Sequence, residues 1–249
     1  MSRKVAILLP TAFACALLAQ PVIAGPADYV YTPTVEYGEK EVDFKYGSDR
    51  QPDGMLRQAA SLGVGYGVNE YWFTEVYFKQ ERSGNQESNL AEWENKFQLT
   101  ETGEYPIDLG FITELEAPLS SNAPWEVRFG PLLQSEFGRI QLNGNLLFER
   151  AFGKADESGI PFGTNLGYQW QVKYRWQPVF EFGMQGLGEV GKWNDWSKSS
   201  EQLHAVGPAI FGKLPLGYRQ AIKYNAAWLV GTNYATPVHT VRMQVEYEF

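Results

Sequence analysis

Alternation of apolar and polar residues along almost the whole chain predicts an all-β fold, an antiparallel up-and-down β-barrel of about twelve strands. Three observations carry this expectation. Segment after segment repeats with period two, which puts one apolar and one polar face on each strand. The connections alternate between short turns and longer, more polar loops. Aromatic residues make up 15% of the chain and gather near the segment ends, as in interfacial girdles.

Composition narrows the class. The 249 residues suffice for one medium barrel. Beyond the amino terminus no apolar run reaches the length of a helical membrane span. A barrel escapes that test, because lipid-facing and lumen-facing residues alternate. Residues 1–24 read as a secretory signal peptide: Arg3 and Lys4 open it, Val5 to Leu18 is mostly apolar, and Val22-Ile23-Ala24 precedes the expected cut. The single cysteine, Cys15, lies in that segment, so the domain expected at residues 25–249 has no disulfide. Without residues 1–24 the formal charge is about −10. That argues against a nucleic-acid partner and suits a lumen that disfavours anions.

The elements follow in order. Val42, Phe44 and Tyr46 oppose Glu41, Asp43 and Lys45; Leu62, Val64 and Tyr66 oppose Ser61, Gly63 and Gly65. After a turn at Asn69-Glu70, Trp72, Thr74, Val76 and Phe78 oppose Glu75, Tyr77, Lys79 and Glu81. Trp93 and Phe97 oppose Glu92, Glu94, Lys96 and Gln98, then Leu109, Phe111 and Leu115 oppose Asp108, Glu114 and Glu116. Trp125, Val127 and Phe129 oppose Glu126 and Arg128; Leu142, Leu146 and Phe148 oppose Gln141, Asn143, Asn145 and Glu149. Tyr168, Trp170 and Val172 oppose Gln169, Gln171, Lys173 and Arg175, and Phe180, Phe182 and Met184 oppose Glu181 and Gln185. A weaker strand over 203–212 contains Pro208 and leads to a turn at Leu214-Pro215-Leu216-Gly217. Ile222, Tyr224 and Trp228 then oppose Lys223 and Asn225. Short turns are expected at 69–70, 101–105, 135–138, 176–178 and 213–217. Longer loops are expected at 48–56, 82–90, 118–124, 151–163, 188–202 and 231–237. Trp93, Trp125 and Trp228 should lie towards the loop end, and Tyr71, Tyr105, Trp176 and Tyr218 at the turn end.

The last segment alternates Val241, Met243, Val245, Tyr247 and Phe249 with Thr240, Arg242, Gln244, Glu246 and Glu248. A strand ending on an aromatic residue resembles the closing strand of Gram-negative outer-membrane β-barrel proteins. The resemblance implies a transmembrane barrel with short periplasmic turns and longer extracellular loops. It also implies residence in the outer membrane, contact with outer-membrane lipids and lipopolysaccharide, and recognition by the barrel-assembly machinery through Tyr247 and Phe249.

If the polar faces point inward, the lumen is charged. Its candidate lining residues are Glu75, Lys79, Glu94, Lys96, Glu114, Glu116, Glu126, Arg128, Lys173, Arg175, Glu181, Lys223, Arg242 and Glu246; Arg219 joins the basic set. Two readings stay open. Such a lumen is a hydrated channel or transporter path for a small solute, or a salt-bridged interior of a structural or surface-interaction barrel. A lipid-active hydrolase is the third and weakest reading. A nucleophile and its base would sit two residues apart on one strand face, but His204 is followed by Ala205-Val206 and His239 by Thr240-Val241. The expectation is therefore no enzyme, and no cofactor or metal set is legible. Loop 188–202 carries Trp193 and Trp196, suited either to stacking on sugars or to folding over the barrel mouth.

Deletion of Phe249 is expected to lower the yield of folded barrel several-fold in cells, read as the heat-modifiable fraction on gels. Undiminished yield would remove the assembly role of the terminus.

Overall fold

The computed structural model describes residues 25–119, 123–153 and 163–249. The predicted signal peptide and parts of the loops at 118–124 and 151–163 lie outside them. Among the described residues there is no helix. Twelve long strands close on themselves: β1 (Lys40–Arg50), β2 (Leu56–Asn69), β3 (Trp72–Ser83), β4 (Gln86–Gln98), β5 (Asp108–Pro118), β6 (Trp125–Phe137), β7 (Ile140–Phe152), β8 (Thr164–Gln177), β9 (Phe180–Lys192), β11 (Leu203–Gly217), β12 (Gln220–Gly231) and β13 (His239–Glu248). The two-residue β10 (Asp195–Trp196) pairs only with the end of β9. Every neighbouring pair is antiparallel, and β13 pairs with β1, which closes the barrel. A closed sheet leaves no unpaired edge, as a lipid environment demands. The barrel strands are 10 to 15 residues long, enough to cross a bilayer when tilted.

Period-two alternation sets the two faces. Val64, Val76 and Phe78 are each more than half exposed, while Asp43, Glu75 and Glu94 on the opposite faces are 1–3% exposed. Buried charged and amide residues outnumber buried apolar ones, the reverse of a water-soluble barrel. Exposed aromatics ring both ends. Tyr71, Tyr105, Phe137, Trp176 and Tyr218 stand at the turn end, and Trp125, Phe152 and Trp196 at the loop end. On the outer wall, the side chains of Trp170 and Tyr168 lie over Gly186 and Gly188, where any Cβ would collide with them.

Several boundaries differ from the sequence expectation. The connection expected at 82–90 is the two-residue turn Gly84-Asn85, because Gln86–Gln98 pairs throughout with β3. Strand β9 runs to Lys192 and shortens loop 188–202. Trp196 then extends the sheet through β10 while Trp193 lies in the turn before it, and both stay exposed. Strand β11 continues to Gly217, and Pro215 is absorbed by a bulge between Pro215 and Gly217. The turn is instead Tyr218-Arg219, with Arg219 at positive φ, so Arg219 sits at the rim rather than in the lumen. Trp93 is nearer the middle of β4 than its loop end.

Placing Arg at Val64, on the exposed apolar face of β2, is expected to lower the unfolding free energy in lipid by about 2–4 kcal/mol. A urea titration in vesicles checks it, and an unchanged midpoint would mean that this face does not meet lipid.

Candidate functional site: a plugged, charged lumen

The lumen is occupied by the chain's own residues 25–39. This segment enters at the loop end and leaves at the turn end, where it joins β1. Two inward glycines make room for it. A Cβ at Gly47 would strike the backbone of Pro26, and one at Gly110 would lie 2.7 Å from Pro33. At the turn end the Gly38 N–H donates to the Gly67 carbonyl at 2.9 Å, and the Gly67 N–H to the Glu39 carbonyl at 2.9 Å.

Side chains tie this plug to the wall. The Tyr29 hydroxyl donates to Glu94 Oε2 at 3.1 Å, and the Tyr31 hydroxyl donates to Glu114. Asn145 Nδ2 donates to the Tyr31 carbonyl at 3.1 Å, and the Val35 N–H donates to Gln98 Oε1 at 2.8 Å. Asp28 Oδ2 lies 3.3 Å from Arg128.

Strand register arranges the wall charges. One row of Cα partners runs Glu248, Glu41, Gly65, Glu75, Glu94, Glu114, Arg128, Glu149 and Asn165, from β13 through β1 to β8. It starts at the turn end of β13 and finishes at the loop end of β8, so it winds up the barrel, as the stagger of a closed sheet requires. A second row runs Lys223, Glu246, Asp43, Gly63, Tyr77, Glu92, Glu116 and Glu126. Carboxylates therefore face carboxylates across neighbouring strands, which is unfavourable unless cations intervene. At the loop-side half they do. Arg128 reaches Glu149 at 2.8 Å and Glu114 at 3.1 Å, and Lys79 reaches Glu116 at 2.8 Å and Glu92 at 3.8 Å. Lys45 lies 3.6 Å from Asp43, with its ammonium 3.9 Å and 3.7 Å from the Tyr29 and Tyr77 ring centres. At the turn end Lys223 pairs with Glu246 at 2.8 Å, with Glu39 at 3.1 Å and with Glu248. Glu39, just before β1, has its carboxyl pushed up to about 7 by burial, with Glu248 adding and Lys223 opposing.

The far wall differs. Amides of β6 to β9 form a hydrogen-bonded belt in which Gln141 donates to Gln134 and Asn143 at 2.9 Å and Asn145 to Gln169 at 3.1 Å. Gln185 is joined to Gln171 at 2.5 Å and accepts from Arg242. Arg242 is buried, and its Nε and Nη1 have no hydrogen-bond partner among the described residues. Lys173 pairs with Glu181 at 3.2 Å, and Arg175, at the rim, with Glu136 at 2.6 Å.

All fourteen candidate lining residues lie on the inward-facing register of their strands, but they form separate groups rather than one ring. Glu75, Glu94, Glu114, Glu116, Glu126, Arg128, Lys223 and Glu246 occupy the two carboxylate rows, and Lys79 reaches the second from a neighbouring position. Lys173, Arg175 and Glu181 stand on the far wall, and Lys96 lies over Phe73 with 5.0 Å to the ring centre. Sequence reasoning missed the plug residues Asp28, Tyr29 and Tyr31, and also Lys45 and the amide belt. Tyr247 and Phe249 stack at 5.5 Å at the turn end. His204 Nδ1 lies 2.8 Å from the Tyr168 hydroxyl and Nε2 3.1 Å from Gln202, while His239 packs on Trp228.

The plug divides the free space unevenly. A cavity of about 540 Å³ opens in the turn-side half, lined by Tyr29, Glu41, Glu75, Glu94, Lys96, Lys173, Phe211 and Glu246 among others. Among the described residues, pockets nearer the loops, beside the plug and the ion pairs, hold about 30, 40 and 10 Å³.

No family model and no curated protein matches the chain. Solved structures share its fold, two of which are similar over most of its length. The NanC porin is 12% identical with a TM-score of 0.54, over 84% of this chain and 98% of that one. An outer membrane channel from Pseudomonas putida F1 is 12% identical with a TM-score of 0.57, over 90% and 98%. At this identity the likeness is one of architecture: the chain has the fold of outer-membrane β-barrel proteins.

Replacement of Arg128 by Met is expected to cost about 3–5 kcal/mol, because Asp28, Glu114 and Glu149 would lose their shared cation. Equilibrium unfolding measures it, and a loss below about 1 kcal/mol would show the cluster to be hydrated and replaceable.

Proposed function

We propose that this barrel resides in the outer membrane and is a narrow, non-enzymatic channel for a small solute, with residues 25–39 setting its aperture. The carrying observation is the 540 Å³ cavity. It is walled by charged side chains on the inward face of a lipid-compatible barrel and bounded on one side by a single thin segment. In the membrane, the turn end would face the periplasm and the loop end the exterior. The plug is held against the wall by hydrogen bonds and by the ion pairs of Asp28 with Arg128 and Glu39 with Lys223, so partial withdrawal of its loop-side part would join the cavity to the loop-side mouth. The porin and channel likenesses agree with this reading at the level of the fold.

A second reading has its own support. The loop-side half is closed by the plug and the Arg128 and Lys79 clusters, which suits a structural or surface-interaction barrel with a filled lumen.

Planar-bilayer recording separates the two. The native protein is expected to give small, discrete conductance steps, and a Asp28→Ala, Tyr31→Ala double variant steps at least about twofold larger, since a wider water path carries more current. A folded barrel silent in both forms would select the filled-lumen reading.

A further inference from the structure

The turn-side cavity has an excess of negative charge that its own cations do not cancel. Seven glutamates and five lysines or arginines line it. Four of the five bases are engaged, Lys173 with Glu181, Arg175 with Glu136, Lys213 with Glu248 and Lys223 with Glu246, and the fifth, Lys96, stands on the near wall over Phe73. On the near wall Glu41, Glu75 and Glu94 stand along one carboxylate row, broken only by Gly65. Glu94 accepts from the Tyr29 hydroxyl, a neutral donor. Glu75 is 3% exposed, and its Oε1 has no hydrogen-bond partner among the described residues, although it lines the cavity. A buried carboxylate oxygen without a donor is costly, and a cationic donor is the group that would satisfy it best. The row continues towards the loops into the stretch where Arg128 already fills that role, so the wall shows what kind of group fits between its carboxylates. Beside the acids, the rings of Tyr29 and Phe211 offer apolar and π surface suited to an alkylammonium. The volume exceeds what a bare metal ion needs.

We propose that this cavity is a binding site for small organic ammonium ions, held by Glu41, Glu75 and Glu94 on the acidic row. The proposal deepens the channel reading by assigning its solute class, cationic rather than anionic, but binding itself does not require conduction.

Calorimetric titration of the purified full-length barrel in detergent tests it, with putrescine as a diammonium probe and succinate as a dicarboxylate of equal chain length. Saturable putrescine binding is expected, with succinate bound at least about tenfold more weakly. The Glu75→Gln variant should weaken putrescine about tenfold, as loss of a charged acceptor would. Glu41→Gln, on another strand, is the second variant, and retention of the folded barrel is read by heat-modifiable mobility. Absence of putrescine binding to the native protein, equal affinity for succinate, or unchanged affinity in both folded variants would each overturn the proposal. Putrescine binding without conductance steps would retain the site and remove the channel reading. Conductance without putrescine binding would do the opposite.

Discussion

The constraint on which the rest of this structure depends is closure of a sheet whose inward faces carry acids at register-matched positions. Once β13 pairs with β1, Glu41, Glu75, Glu94 and Glu114 stand in one row and Asp43, Glu92 and Glu116 in the next. Such neighbours repel unless something lies between them. Arg128, Lys79 and Lys45 supply part of the answer and the plug supplies more, through two tyrosine hydroxyls.

The plug and the wall are therefore one electrostatic unit. Asp28 adds a third carboxylate to Arg128, and Tyr29 places its ring against Lys45 while its hydroxyl serves Glu94. Movement of residues 25–31 would leave wall charges without these partners. Opening is thus coupled to hydration of the lumen or to the arrival of another donor. The turn-side half, where the wall's own cations are fewer on the acidic side, is also where the larger cavity lies.

The outer face obeys a simpler rule. It needs only apolar side chains at every second position and aromatic rings near the two ends, and composition alone shows both. This is why the barrel was legible in the sequence while its contents were not. Residues 25–39 contain no alternating segment and read as a leader to β1, yet they pass through the lumen. Their cue in hindsight is the set of small residues that alternation turns inward: Gly47, Gly67 and Gly110.

Local period, charge composition and turn chemistry determined the strand number, the lipid-facing residues and the acidic character of the interior, because each depends on neighbours one or two residues apart. Where those rules conflicted with pairing, pairing prevailed: Gln86 to Leu90 joined β4 and Pro215 was carried by a bulge. Only the tertiary structure decided which carboxylates meet, which cation serves them and what fills the lumen. Register and threading bring together residues 65 to 201 positions apart, as in Tyr29 with Glu94, Tyr31 with Gln169 and Asp43 with Gln244, and no local pattern encodes those distances.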